Sequence, residues 1–272
     1  MFDWTALESS LAGTIYAGKL HYARTTGSTN SDALAAARDG AAHGSVFVAD
    51  EQTAGRGRGG HAWLSAAGDG LYVSVVLRLT VPAERLLLLP LAVGLAAAQA
   101  IHAATGLAVD LRWPNDLLIG PLKAGGILVE ARNESKEPPY AVAGIGINVH
   151  QRGFPPDLAT PATSLDLATG GRVSRQALLV ALLHALEREA GAMTDPEIAA
   201  QIPARVEAAS SWVRGRRVEV HGPQECAGTT AGLDANGFLR VATAGGLVTV
   251  QTGGVREAAI SSQPSAFGSK VP

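Results

Sequence analysis

Residues 49–63 carry the densest group of side chains in this chain that could do chemistry. Within them, four glycines alternate with two arginines: Gly55, Arg56, Gly57, Arg58, Gly59 and Gly60. Glycine has no Cβ, so a backbone rich in glycine can approach a ligand closely. Arginine guanidinium groups are suited to phosphate and carboxylate oxygens. The stretch therefore predicts a loop that closes over an anionic ligand.

Three other interpretations have to be considered for the same loop. Gly55, Gly57 and Gly60 match the spacing of the dinucleotide-binding fingerprint, but residues 61–70 lack the helical apolar spacing that should follow it. A P-loop is excluded because the sequence contains no G-x-x-x-x-G-K-[ST]. A flexible surface hairpin is the ordinary interpretation of an isolated glycine cluster. Other stretches of the chain have to decide between these possibilities.

Polar residues at the ends of other predicted elements could complete a site. Residues 25–32 precede an alanine-rich helix, where Ser, Thr and Asn can cap the helix or present hydroxyls to a ligand. A predicted strand at 109–113 runs into residues 112–116 (RWPND), where Asp beside Asn fits either a turn or a Mg²⁺ site. Lys123, beside two glycines, is either solvated or reaches a ligand.

Composition limits the class of protein. The chain has 272 residues and is 47% hydrophobic, enough for one large domain or one with a small companion. A formal net charge of −2 provides no basic footprint for nucleic acid. The single cysteine, Cys226, excludes an intrachain disulfide, and no signal peptide is apparent, so we expect a cytoplasmic protein. Residues 86–109 could span a bilayer by length, but their Pro, Gly and polar residues favour a buried core helix.

Hydrophobic periodicity predicts an α/β domain followed by short strands. Helices are predicted in residues 1–20, 84–105, 174–192 and 196–210, the last kinked or split by Pro203. Strands are predicted at 45–49, 70–79, 126–131 and 140–149, the last two paired antiparallel, and a loop at 152–171. Four further strands at 216–221, 227–234, 238–242 and 247–251, with a hairpin turn at Asn236-Gly237, predict a small β-barrel.

Several of these stretches together resemble the biotin protein ligases. The family's motifs recur in its order and spacing over about residues 20–255: 28–30 (STN), 51–58 (EQTAGRGR), Trp63, 112–116 (RWPND), Lys123 with 125–130 (GGILVE), and 146–149 (GINV). The resemblance implies a mixed sheet flanked by helices, like that of class II aminoacyl-tRNA synthetases, followed by an SH3-like β-barrel. It implies a catalytic domain at 1–212 and the SH3-like domain at 213–260. We expect residues 261–272 to form a disordered tail.

The resemblance also implies a reaction. Biotin and MgATP give biotinoyl-5′-AMP, and the biotinoyl group then passes to a lysine of a biotin carboxyl carrier protein. Attack of a carboxylate on a phosphate brings two anions together, so the site must supply positive charge.

By resemblance, each matching residue receives a role. The catalytic charges are Arg56, Arg58 and Lys123; biotin is bound by Ser28, Thr29, Asn30, Gln52, Arg56, Gly57, Arg58, Lys123 and Gly125. ATP is bound by Arg56, Trp63, Asn115, Asp116, Lys123 and Asn148, and Asp116 is the candidate Mg²⁺ ligand.

The sequence departs from the family pattern at several positions, including the Ala-Gly-Gly that follows Lys123, where Leu-Ala-Gly is more common. Lysine is usual where Arg112 stands, arginine is frequent at His61, and a larger residue is frequent at Gly59. Only 27 residues precede Ser28, too few for the winged helix of bifunctional members, so we expect no repressor activity and no nucleic-acid partner. No membrane partner is expected, and a homodimer is left open.

Two alternatives to biotin ligation remain. A lipoate or octanoyl protein ligase belongs to the same superfamily, although an octanoyltransferase needs a catalytic cysteine and Cys226 lies far from the motifs. A non-catalytic biotin-binding regulator is of a different class, and it is disfavoured by Lys123 and the intact arginine loop.

Overall fold

A computed structural model describes residues 2–132 and 139–258, and two β-sheets organise them. The first part of the chain forms, in order, α1 (Trp4–Ser10), β1 (Leu20–Thr26), α2 (Thr29–Arg38), β2 (Val46–Gln52), β3 (Gly70–Leu77), α3 (Leu89–Thr105), β4 (Asp110–Arg112), β5 (Asp116–Ile119), β6 (Leu122–Arg132) and β7 (Tyr140–Asn148). The second part forms α4 (Leu165–Thr169), α5 (Arg175–Ala192), α6 (Pro196–Ala199), α7 (Ile202–Ala208), β8 (Arg214–His221), β9 (Cys226–Leu233), β10 (Leu239–Thr243), β11 (Gly246–Val250) and β12 (Gly254–Glu257).

The first sheet has seven strands in the order β1-β2-β3-β7-β6-β5-β4. Strands β1 and β2 run parallel, and the other neighbouring pairs run antiparallel. The predicted mixed sheet flanked by helices is therefore confirmed, and so is the antiparallel pairing of β6 with β7. Its likeness to class II aminoacyl-tRNA synthetases stays a prediction.

Strand β3 shows how the first sheet divides the molecule, because its residues are buried on both faces. Side chains alternate between the two faces of a strand. Leu71 and Val73 belong to the main hydrophobic cluster, which also contains the leucines of α3 and α5. Val76 points the other way and packs on α2 through Ala33 and Ala37. Helices α3 and α5 thus cover one face of the sheet, and α2 lies against part of the opposite face.

Residues Ala83–Thr105, a short 3₁₀ turn followed by α3, are long and apolar enough to cross a membrane by length and composition alone. In the fold most of this stretch is buried, and α3 packs along α5. The predicted buried core helix is confirmed. Pro203 stands in the first turn of α7, and the predicted split of the 196–210 helix into two pieces is confirmed as well.

Three elements differ from the sequence prediction. Strand β1 was not predicted because it is an edge strand, whose mostly exposed side chains lack apolar alternation. Strand β5 was not predicted either; the turn at Pro114 leads back into the sheet, so Asp116 begins a strand rather than ending an element. The predicted loop at 152–171 contains the short helix α4, which Ser164 caps by accepting a hydrogen bond from the Leu167 backbone N–H.

The second sheet has five antiparallel strands in the order β11-β10-β9-β8-β12. The four predicted strands are present, β12 is an addition, and the turn at Asn236-Gly237 joins β9 to β10 with Gly237 at a φ of 79°. Closure of this sheet into an SH3-like barrel, and the division into domains at residue 212, stay predictions. The tail predicted at 261–272 lies outside the described residues.

The Tyr16 hydroxyl allows the effect of a buried, unpaired polar atom on the free energy of unfolding to be measured. Its side chain is fully buried, and its hydroxyl has no hydrogen-bond partner in the described part of the chain. Burial also raises the pKa of this hydroxyl. Because an unsatisfied buried hydroxyl is destabilising, Tyr16→Phe should raise the free energy of unfolding by about 1 kcal/mol, measured by urea denaturation.

Tyr72→Phe is the matched control for this prediction. The Tyr72 hydroxyl is also buried but donates to the Ala66 carbonyl oxygen at 3.1 Å, so its loss should lower the free energy of unfolding by about 1 kcal/mol. Equal destabilisation by the two substitutions would mean that the Tyr16 hydroxyl has a partner after all.

Candidate active site

A cavity of about 1000 Å³ lies over the face of the first sheet that α3 and α5 leave free. A volume of this order suits a small-molecule or cofactor site. Twelve of the residues predicted for the site line it: Ser28, Thr29, Asn30, Gln52, Arg56, Gly57, Arg58, Trp63, Asn115, Asp116, Lys123 and Asn148. One predicted residue, Gly125, does not.

Glycines of β6 and β7 form the floor of this cavity. A Cβ added at Gly146 would lie 2.6 Å from the Trp63 indole, and one at Gly126 would lie 3.1 Å from it. A Cβ at Gly144 would collide with the Asn30 side-chain oxygen. The bare backbone therefore makes room for an aromatic ring and an amide to lie directly on the sheet.

Gly125 was predicted to bind biotin, and its placement needs correction. A Cβ at Gly125 would point to the opposite face, 2.9 Å from the Leu117 side chain and 2.9 Å from the Gly146 carbonyl oxygen. Side chains alternate along a strand, so when Gly126 faces the cavity its neighbour must face the packed side. The motif was located correctly, but the sequence did not reveal which of its two glycines faces the cavity.

The arginine loop is a tight hairpin that contains a short 3₁₀ turn, Arg58–Gly60, and no longer helix. The Gly57 N–H donates to the His61 carbonyl oxygen at 2.7 Å, and the Trp63 N–H donates to the Gly55 carbonyl oxygen at 2.9 Å. This geometry removes the dinucleotide-fingerprint interpretation, which requires a helix opening in the loop. Gly59 adopts a φ of 68°, a conformation that glycine favours, which accounts for its presence in place of a larger residue.

A buried polar network occupies one end of the cavity. The Thr29 backbone N–H donates to Gln52 Oε1 at 2.9 Å, and the Thr29 hydroxyl lies 2.9 Å from the Ser74 hydroxyl. Gln52 Nε2 in turn donates to the Ser65 hydroxyl at 2.8 Å. Ser28 is the N-cap residue of α2, yet its hydroxyl makes no capping hydrogen bond. The network fixes its members firmly, while the Ser28 hydroxyl is not used to cap the helix.

Glu130 joins this polar network to the arginine loop. Its carboxylate accepts a hydrogen bond from Asn30 Nδ2 at 2.6 Å and forms an ion pair with Arg56 Nη2 at 2.8 Å. Glu130 belongs to the 125–130 motif, but the sequence assigned it no role. The Arg56 side chain, 43% exposed, is therefore held by an internal carboxylate.

Asp116 forms a second cation cluster. One carboxylate oxygen lies 2.5 Å from Lys123 Nζ, and the other lies 2.5 Å from Arg112 Nη2 and 3.1 Å from Arg112 Nε. Arg112 also donates to the Thr160 hydroxyl at 2.8 Å and lies over the Trp212 ring, 5.1 Å from its centroid. Arg112, buried and multiply bonded, uses the planar donor set that distinguishes arginine from lysine.

The assignment of Asp116 as a Mg²⁺ ligand does not fit this arrangement, because cationic side chains occupy both of its oxygens. The described residues also contain no group of three or more His, Cys, Asp or Glu side chains that could hold a metal ion. Magnesium that is bound mainly through nucleotide phosphates needs only one or two carboxylates, or none. In the described part of the chain, Asp116 is therefore held by cations rather than grouped with other carboxylates that could share a metal ion.

Arg58 links the loop to the second sheet. Its Nη1 donates to the Gly253 carbonyl oxygen at 2.6 Å, and its Nη2 donates to the Thr252 hydroxyl at 2.6 Å. Burial lowers the pKa of this guanidinium, which Asp116 partly opposes, and arginine stays charged. Residues 252–256 line the cavity. The local spacing of the motifs does not predict this contact between the loop and the second sheet.

Trp63 and Asn148, both predicted to bind ATP, lie at the same end of the cavity as Lys123. Lys123 Nζ lies 5.5 Å from the centroid of the Trp63 ring. The Asn148 amide nitrogen donates to the backbone carbonyl oxygens of Thr163 at 3.1 Å and Lys123 at 3.4 Å. Asn148 therefore fixes the segment that follows β7, a role that the motif did not reveal.

One concave space brings together Arg56, Arg58, Arg112 and Lys123, each of which already has an internal partner. Lys123 and Arg112 share Asp116, Arg56 has Glu130, and Arg58 has the second sheet. Such a space can accept an anion if the anion takes over these contacts, and its partly apolar walls strengthen the electrostatic attraction. The arrangement suits chemistry that brings negatively charged groups together.

Comparisons with known proteins agree with this architecture. Residues 23–148 match the model of the biotin/lipoate A/B protein ligase family. The bifunctional ligase/repressor BirA of Bacillus spizizenii is 39% identical over 171 residues, which are 62% of this chain and 53% of that protein, so the chain spans about half the length of this relative. The biotin–[acetyl-CoA-carboxylase] ligase of Mycobacterium tuberculosis is 37% identical over 238 residues, 85% of each chain.

A solved structure has the same fold. The biotin protein ligase from Aquifex aeolicus, in complex with biotin and ATP, superposes with a TM-score of 0.76 at 29% identity and covers 89% of this chain and 100% of that one. The chain belongs to the biotin/lipoate A/B protein ligase family.

Because Gly146 and Gly125 face opposite sides of the sheet, alanine substitutions at these two positions should have different effects. Gly146→Ala should push the Trp63 indole aside, because the new methyl would lie 2.6 Å from it. The ¹⁹F resonance of Trp63 in fluorotryptophan-labelled protein, assigned with Trp63→Phe, should therefore shift. Gly125→Ala should instead lower the free energy of unfolding by about 1–3 kcal/mol through overpacking against Leu117, and leave that resonance in place. A Trp63 shift in Gly125→Ala but not in Gly146→Ala would contradict this assignment of faces.

Proposed function

We propose that this protein is a biotin protein ligase. It activates biotin as biotinoyl-5′-AMP and transfers the biotinoyl group to a lysine of a biotin carboxyl carrier protein. The observation that carries the proposal is the convergence of Arg56, Arg58, Arg112 and Lys123 on one cavity that also holds Trp63 and the buried polar network. The name of the M. tuberculosis relative, biotin–[acetyl-CoA-carboxylase] ligase, supports the same carrier class.

The proposed reaction has two displacements. A biotin carboxylate oxygen attacks the α-phosphorus of ATP, forming the acyl–phosphate bond as the bond to pyrophosphate breaks. The carrier lysine amine then attacks the acyl carbon, so that the amide forms, AMP leaves with the electron pair and the amine loses a proton. Neither step needs a protein nucleophile, so the protein's part is to neutralise charge and align the reactants.

The two ends of the cavity suit the two substrates. The network of Thr29, Gln52 and the Ser28 hydroxyl offers hydrogen-bond donors and acceptors of the kind that a cyclic urea requires. Trp63 offers a flat surface on which an adenine ring can stack. Lys123 lies at the Trp63 end, with its Nζ 5.5 Å from the ring centroid, where it would meet the α-phosphate and the biotin carboxylate that attacks it. The complex of the A. aeolicus protein with biotin and ATP supports the binding of both substrates.

Substrate binding would exchange internal ion pairs for ligand contacts. Lys123 and Arg56 are held by Asp116 and Glu130, which keep the cations in place while no substrate is bound. The carboxylate and phosphates of the substrates would compete for those same cations. Removal of one partner from a desolvated pair is costly unless another anion replaces it, so both substrates should bind more tightly together than apart.

Further elements of the proposal concern magnesium, partners and location. Magnesium would arrive on the ATP phosphates, which it neutralises, and we assign no residue of this chain as its ligand. We propose that the protein acts in the cytoplasm on a carrier protein and binds no nucleic acid. We propose that the second sheet closes into an SH3-like barrel, and analytical ultracentrifugation will show whether the protein forms a homodimer.

The proposed function is tested by measuring the mass of a biotin carboxyl carrier domain after reaction. The protein is incubated with ATP, magnesium, a biotin carboxyl carrier domain and either biotin or lipoate, and the intact carrier is then measured by mass spectrometry. We expect one biotinoyl increment with biotin, none with lipoate, and none when the acceptor lysine of the carrier is changed to arginine. A lipoyl increment on a lipoyl carrier domain run in parallel would favour the lipoate alternative, and no increment on either carrier would contradict ligase activity.

Lys123 should contribute directly to adenylation. Lys123→Met removes the charge that would face the developing anion and should slow biotin-dependent pyrophosphate release by about 10²-fold in a single turnover. Lys123→Arg retains a cation and should lose less. If the rate is unchanged in a Lys123→Met protein whose thermal midpoint matches the wild type, Lys123 is a solvated lysine with no part in the chemistry.

Arg112 should act by positioning Lys123 through Asp116. Arg112→Met frees the Asp116 carboxylate to rotate and should lower the kcat of adenylation by about 10-fold, with little change in the KM for biotin. Arg112→Lys should retain part of the rate because it keeps one donor to Asp116. Thr160→Val, which removes only the bond from Arg112 to the loop, is the control and should be nearly normal. A higher KM for ATP at unchanged kcat would show that Arg112 contacts the nucleotide instead.

A further inference from the structure

A chain of hydrogen bonds connects Glu130 to the polar end of the cavity, and its side chains can be oriented one after another. Glu130 is a carboxylate, which only accepts hydrogen bonds, and it accepts from Arg56 Nη2 at 2.8 Å and from Asn30 Nδ2 at 2.6 Å. The nitrogen of the Asn30 amide therefore faces Glu130, and its oxygen faces the other way. Glu130 thus determines the orientation of the Asn30 amide.

The orientation of Asn30 determines how the Ser74 hydroxyl is used. Asn30 is buried, and its Oδ1 accepts a hydrogen bond from the Ser74 hydroxyl at 3.0 Å. Because a hydroxyl has one proton, Ser74 has none left for the Thr29 hydroxyl, which lies 2.9 Å away. In that contact Thr29 donates and Ser74 accepts. The opposite direction would leave the buried Asn30 Oδ1 without a donor, which is destabilising.

Thr29 ends the chain, and its oxygen is left as an acceptor. This oxygen also lies 3.1 Å from Gln52 Oε1, but its one proton is already directed at Ser74. Gln52 Oε1 accepts from the Thr29 backbone N–H instead, and Gln52 Nε2 donates to the Ser65 hydroxyl. Two acceptor oxygens, of Thr29 and Gln52, therefore lie side by side, and both residues line the cavity. This pair suits a ligand that presents an N–H group.

The direction of the whole chain depends on the charge of Glu130. In Glu130→Gln, the oxygen of the new amide has to face Arg56, which only donates, so its nitrogen faces Asn30. Asn30 would then turn its oxygen towards residue 130 and its nitrogen towards Ser74. Ser74 would donate to Thr29, and the Thr29 proton would be released from Ser74. A donor would replace the acceptor at the polar end of the cavity.

We propose that Glu130 is a positioning residue that sets the direction of this chain and so makes the Thr29 oxygen accept a hydrogen bond from a ligand N–H. The inference rests on the proposed function, in which the ligand is biotin and the N–H belongs to its cyclic urea. Glu130 contacts Asn30 and Arg56, which line the cavity, and acts on the ligand through Asn30.

The test is a double-mutant cycle in which biotin binding is measured by isothermal titration calorimetry. Glu130→Gln keeps the size of the side chain and should weaken biotin binding by about 10-fold, which corresponds to the loss of one hydrogen bond. Ser74→Ala breaks the chain, so in that background Glu130→Gln should have little further effect. Glu51→Gln is the matched control, because Glu51 accepts a hydrogen bond from the Thr25 hydroxyl, and it should bind biotin like the wild type.

The cycle separates the hydrogen-bond chain from the arginine loop. If Glu130→Gln weakens biotin binding by the same factor with and without Ser74, it acts through Arg56 and the loop, and the proposed role is refuted. Unchanged biotin binding in Glu130→Gln also refutes it. If Ser74→Ala does not fold, Asn30→Ala breaks the same chain and takes its place in the cycle.

The orientation of Asn30 can also be measured without a ligand. In NMR spectra of the wild type, the Asn30 side-chain proton bonded to the Glu130 carboxylate should lie downfield, and it should move upfield in Glu130→Gln. Asn30→Ala assigns this signal by its loss. If the wild type binds no biotin, the proposed function fails, and the NMR signal decides the direction of the chain independently. An Asn30 signal that is unchanged in Glu130→Gln refutes that direction.

Discussion

The Asp116 carboxylate holds two cations at once, and the arrangement of the site depends on this contact. Lys123 comes from β6, Arg112 from β4, and Asp116 from the β4–β5 hairpin that Pro114 initiates. Without a shared anion, two cations at this distance in a partly buried space would repel each other. The cavity thus holds its positive charge in internal ion pairs, and Glu130 does the same for Arg56. Under the proposed function, an anionic substrate would take over contacts that already exist, which would favour substrates of defined geometry over any anion.

The first sheet supports this arrangement of ion pairs because its two faces differ in composition. One face consists of large apolar residues under α3 and α5, and it supplies the stability of the domain. The other face carries glycines where a ligand must lie and small polar residues where it must be hydrogen-bonded. Because side chains alternate along a strand, the same few residues of β6 serve both purposes, Ile127 in the core and Gly126 in the cavity floor.

Much of this site could be predicted from the sequence, because its motifs carry their chemistry in local spacing. The glycine–arginine loop, the residues before α2 and the segment around Lys123 all came together in one cavity. Contacts between distant segments were another matter. Gly125 was placed in the site because the phase of a strand depends on its register with its neighbours. Asp116 was predicted as a metal ligand because the neighbouring sequence does not show that Arg112 and Lys123 contact its two carboxylate oxygens. Arg58 and Gly253 are 195 positions apart in the sequence, so no local motif spacing could predict their contact.

The central claim is that this cavity joins the carboxylate of biotin to the α-phosphate of ATP before any carrier takes part. Exchange of radioactive pyrophosphate into ATP measures that step directly, because it requires reversible formation of the adenylate. With the purified protein and magnesium but no carrier, we predict that label enters ATP only when biotin is added and that lipoate does not replace it. Three results would contradict this account. They are exchange without biotin, equal exchange with lipoate, and no exchange by a protein that nevertheless biotinylates its carrier.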